Sequence, residues 1–85
     1  MPDIPTPQLN LIVLYTTDLV GAVRFYEMLG LTFTRHRHGN GPEHYACESG
    51  PIVLELYPTE DTTRCGGQRI GFAVSEIDAL VSRLQ

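Results

Sequence analysis

The run LNLIVLY over residues 9–15 is almost entirely apolar and rich in β-branched and aromatic side chains. It predicts a central strand buried on both faces. Thr17 and Asp18 then offer side-chain oxygens to free amides, and Leu19, Ala22, Val23, Tyr26 and Leu29 recur at three- and four-residue steps before Gly30. That pattern predicts an amphipathic helix with both ends marked. LTFTRHRH at 31–38 alternates as a second strand does, and GNGP at 39–42 reverses the chain into a third at 43–48. Ser49, Gly50 and Pro51 turn it again into a fourth strand, IVLELY at 52–57, whose apolar run is interrupted only by Glu55.

The polar, glycine-rich stretch PTEDTTRCGGQ has no period and reads as a connecting loop. RIGFAV at 69–74 then predicts a fifth strand. Ser75 with Asp78 resembles a capping box opening a helix through Ile77, Leu80, Val81 and Leu84. The order is therefore βαβββ followed by βα, an α+β arrangement. It divides into an extended, proline-rich tail (1–8), a first module (9–58), a linker loop (59–68) and the start of a second module (69–85). The last helix has an apolar face and no partner of its own. Either the chain belongs to a longer protein or another chain covers that face.

Composition narrows the functions available. Six basic against ten acidic residues give a net charge of −4, so the broad positive field that nucleic acid demands is missing. All six basic residues are arginine, which excludes a lysine Schiff base and a phosphate-loop lysine. Cys47 and Cys65 match no disulfide framework and no zinc pattern of close cysteine pairs. The longest apolar stretch, residues 11–14, is far too short to span a membrane, and the acidic start lacks the cationic region of a leader. A cytoplasmic protein with no membrane partner is expected.

The string from Leu9 to Leu31, with Asp18-Leu19 opening the helix and RFYEMLGL closing it, resembles the glyoxalase, bleomycin-resistance and extradiol dioxygenase superfamily. So do VLELY at 53–57 and RIGFAVSEIDALVSRL at 69–84. The resemblance implies βαβββ modules that pair, within a chain or across a dimer, to enclose a small-molecule cavity. A homodimer is the first expectation. For the metal-dependent enzymes of the family it implies ligands on the first, fourth, fifth and eighth strands. The first-strand position falls on Leu11, which has no lone pair, and the fourth on Glu55, a suitable donor. The fifth falls on Arg69, a permanent cation, and the eighth lies beyond Gln85. No metal and no other cofactor is expected.

Strand alternation places Glu55 with Val53 and Tyr57 on one face, and Ile52, Leu54 and Leu56 on the face that meets the helix. Leu11, Val13 and Tyr15 join Glu55 and Tyr57 as candidate ligand-binding residues around an apolar pocket. Arg69, alternating with Gly71 and Ala73, is expected to point into the same cavity. Arg69 and Glu55 then either neutralise each other, or Arg69 captures an anionic ligand while Glu55, the best catalytic candidate, accepts its proton. His36 and His38 share one strand face beside Arg35 and Arg37 and read as a solvated hairpin edge. The parity of His44 is left undecided, and Tyr45 is a further phenol that packing explains.

Three functions follow from these readings. The first is a metal-free protein that binds a small, apolar or anionic molecule, as the drug-sequestering branch of the family does. The second is a divalent-metal-dependent lyase, isomerase or dioxygenase resting on Glu55 and ligands outside the matched positions. The third is a non-catalytic interaction module docking through the last helix. The sequence leaves open whether any reaction is catalysed.

Overall fold

Four strands and two helices make up the computed structural model, which describes residues 4–84. Within the expected tail, residues 1–3 lie outside the described residues, as does Gln85 at the end of the second module. Strand β1 (Leu11–Thr16) leads into helix α1 (Leu19–Met28). Strands β2 (Thr34–His36), β3 (His44–Ser49) and β4 (Ile52–Pro58) follow, then a 3₁₀ turn (Thr62–Arg64) and helix α2 (Ile77–Leu84). The sheet order is β1-β4-β3-β2, with β1 parallel to β4 and the other pairs antiparallel. This is the α+β βαβββ architecture expected, with α1 as the crossover that a parallel pair requires.

Local chemistry sets the ends of α1. The Asp18 carboxylate accepts the Gly21 amide at 3.0 Å, and Thr16 Oγ1 accepts the amide of Asp18 at 3.0 Å, filling donors that the helix start leaves free. At the other end Leu31 N–H reaches back to the Tyr26 carbonyl at 3.2 Å. Gly30 makes that return possible, because its φ of 104° is open to glycine and strained for other residues.

The core lies between α1 and one face of the sheet. Leu54, Leu56, Cys47 and Val23 are buried. Register pairs Leu14 and Tyr45 with Leu56, and Cys47 with Leu54, on this side. Val13, Glu55 and Ala46 sit in register on the opposite face, with Tyr15 beside Tyr57.

Three expectations change. Strand β1 is an edge strand, not a central one, and only one of its faces is covered, so Leu11 and Val13 are exposed. Its all-apolar sequence is that of a strand with a second face to cover. Residues 69–74 form no strand among the described residues. Their alternation is used differently: Ile70 and Phe72 turn inward, and Phe72 lies 6.1 Å from the ring of Tyr26 on α1, whereas the intervening residues are exposed. Hydrophobic period was satisfied by packing on α1, without the ladder hydrogen bonds that define a strand. Finally, α2 starts later than Ser75 would cap, with Leu80 N–H donating to the Glu76 carbonyl, and Arg83 reaches the Met28 carbonyl at 3.4 Å.

Candidate functional site

The face opposite α1 collects the polar chemistry of the sheet. Position by position, β1 and β4 bring Leu11 beside Val53, Val13 beside Glu55 and Tyr15 beside Tyr57. Leu11, Val13, Tyr15, Glu55 and Tyr57 therefore share one face, with the first two exposed and the other three half-buried. The rings of Tyr15 and Tyr57 stand 6.0 Å apart. A hollow of about 460 Å³ lies alongside, lined by Thr34, His36, Ala46, Glu48 and Val53. A second hollow of about 450 Å³, between α1 and the sheet, is lined by Leu14, Tyr26, Leu56, Ile70 and Phe72, with Thr17, Cys65 and Gln68 among its polar groups and no charged side chain.

The imidazole that faces Glu55 is that of His44. His44 is buried, 2 % exposed, and its Nε2 lies 3.7 Å from Glu55 Oε2. Its ring lies flat on Tyr57, with centroids 4.3 Å apart and planes 7° from parallel, and its Nδ1 is 3.3 Å from the Pro42 carbonyl. The strand register sets the parity of His44, since Tyr45 faces Leu56 and His44 therefore faces Tyr57. His36 pairs with His44 across the β2–β3 ladder, and its ring centroid is 5.8 Å away. His38 is 5.3 Å from His44. Both outer histidines are exposed, as a hairpin edge requires.

Arg69 is exposed, on a segment that pairs with no strand, and among the described residues no salt bridge joins it to Glu55, whose Oε2 faces His44 Nε2 instead. An unexpected arginine reaches the site instead: the Arg64 guanidinium lies over the Tyr15 ring, 4.0 Å from its centroid. Asp61 sets up this approach by accepting the Thr63 amide at 2.9 Å and its hydroxyl at 2.6 Å, which shapes the 3₁₀ turn. Those two bonds, aided by the Arg64 charge, hold the Asp61 carboxyl below the usual aspartate range. Burial pushes the Tyr57 phenol up, and the charges of Glu55 and Tyr15 add to it. Tyr45 falls on the α1 side with Leu56.

Metal chemistry is a poor match to these donors. Among the described residues no three histidine, cysteine or carboxylate groups converge to hold an ion. The Cα neighbours of Glu55 across the ladders are Val13 and Ala46, and Leu11 offers no lone pair.

A βαβββ unit whose helix covers one sheet face and leaves the other open, with a few polar groups among apolar ones, defines a module of the α+β class. Residues 8–85 match the family described as Glyoxalase/Bleomycin resistance protein/Dioxygenase superfamily, and the chain belongs to it. No curated protein matches the sequence. No helix among the described residues is long and apolar enough to cross a membrane.

Proposed function

We propose that the open sheet face binds a small, largely apolar molecule without a metal, and that a second βαβββ module, contributed by a second copy of the chain, closes over it. One observation carries this reading: Leu11 and Val13 are 47 % and 37 % exposed on a face that also presents Tyr15, Tyr57 and Glu55. Exposed aliphatic side chains around one half-buried carboxylate have the composition of a ligand site. The donor set around Glu55 supports the metal-free part.

The test uses EDTA-treated full-length chain titrated calorimetrically with 4-phenylphenol and 4-methoxybiphenyl, with native mass spectrometry for subunit number. Saturable binding is expected to a dimer. Val13→Arg, which fills the face beside Glu55 at an exposed position, is expected to weaken it by about tenfold or more. No binding to the wild-type protein, or binding only after a divalent metal is restored, overturns the reading.

A further inference from the structure

Glu55 stands among apolar neighbours. Its Cα partners are Val13 and Ala46, Leu54 and Leu56 beside it in sequence are buried on the far side, and its own side chain is 22 % exposed. One carboxylate oxygen faces His44 Nε2 at 3.7 Å, longer than a hydrogen bond. Among the described residues no side-chain hydrogen bond reaches either oxygen. A carboxylate accommodates about four hydrogen bonds, and the exposed part of this one is open to water.

A molecule settling over Leu11, Val13 and Tyr57 removes that water. If it brings a donor, the carboxylate exchanges one partner for another. If it brings none, an acceptor is left buried and unpaired, at a penalty large enough to dominate discrimination between otherwise identical ligands. A carboxylic acid does worse still, because it sets one anion against another. No arginine offsets this among the described residues, since the Arg64 guanidinium stands over Tyr15 and no salt bridge joins an arginine to Glu55.

We infer that Glu55 is the specificity-determining residue of the open face, and that its ligand is an apolar molecule bearing a hydroxyl, N–H or ammonium donor, with carboxylic acids excluded. This rests on the binding function proposed above and names its ligand class.

Three probes of one ring shape test it on the EDTA-treated full-length chain: 4-phenylphenol, 4-methoxybiphenyl and biphenyl-4-carboxylate. The phenol is expected to bind about tenfold or more tighter than its methyl ether, with the carboxylate weakest. In Glu55→Gln, which keeps shape and removes charge, the phenol preference is expected to shrink to about threefold or less while the carboxylate gains. The wild-type series decides the matter even if that variant does not fold. Phenol and ether binding alike overturns the inference and leaves the binding function standing. A carboxylate that binds tightest also overturns it and makes Arg64 the anchor, and no binding by any probe overturns both.

Discussion

His44 and Tyr57 lie face to face, with ring centroids 4.3 Å apart and planes 7° from parallel, and His44 is almost wholly buried. The pair joins β3 to β4 on the open face and holds an imidazole nitrogen beside Glu55. His44→Ala removes a buried ring and its stacking, and is expected to destabilise the fold by about 2–4 kcal/mol. His44→Phe keeps a flat ring over Tyr57 and is expected to recover at least half of that. Urea unfolding of the two variants checks both values. A loss under about 0.5 kcal/mol for the alanine variant is the surface response and contradicts the burial.

The two faces of the sheet are expected to answer mutation differently. Leu56 is 1 % exposed under α1, and Leu11 is 47 % exposed opposite it. Leu56→Ala opens a cavity and is expected to cost about 2–5 kcal/mol, whereas Leu11→Ala in a single folded chain stays within about 0.5 kcal/mol. Ligand binding is expected to show the reverse order, with Leu11→Ala weakening affinity for the biphenyl probes at nearly unchanged stability. Paired denaturation and calorimetry on the two variants measure this. A large stability loss in Leu11→Ala means that this face is already covered by another chain.

Much of this fold was legible in the residues, because the elements there obey local rules. Asp18 and Gly30 bracket α1 through capping chemistry that sequence displays directly. The alternation of IVLELY put Glu55 opposite Leu54 and Leu56, as the burial pattern has it. Strand order is not local. Nothing in LNLIVLY distinguishes an edge strand from a central one when a second face awaits cover. RIGFAV shows why period alone misleads, since its alternation sets Phe72 against Tyr26 of α1 and Ile70 beside the hollow there while making no ladder. His44 was within reach: the hairpin that pairs Ser49 with Ile52 carries the count back to Tyr57 once the turn length is taken as two residues. Arg64 had no such signal, because its approach to Tyr15 depends on an irregular loop folded by Asp61.

The start of α1 is a local feature with a local cost. Asp18 Oδ1 accepts the Gly21 amide at 3.0 Å, so Asp18→Ala leaves a helix donor without its partner. The expected loss is about 1 kcal/mol, with most of it recovered in Asp18→Asn. In a domain of this size that corresponds to a fall in Tm of about 4–8 °C. Thermal melts followed by circular dichroism give the answer, and equal melting of the alanine variant and the wild type removes the cap from the account.

Tyr57 links the charge of Glu55 to pH. Burial raises its phenol above the ordinary tyrosine value, and Glu55 then Tyr15 add to the shift. The neutral phenol is the form the fold favours. Its contribution to stability is thus fully present below the unfolded value of about 10 and is lost as pH rises through the higher folded value. Near-UV titration of the wild type against Tyr57→Phe isolates this phenol and is expected to find it ionising later than a free tyrosine. Glu55→Gln removes one cause and leaves burial, so the midpoint is expected to move back only part of the way. A return to the ordinary value in that variant assigns the whole shift to the carboxylate and contradicts burial as the first cause. An unmoved midpoint separates Tyr57 from Glu55 electrostatically.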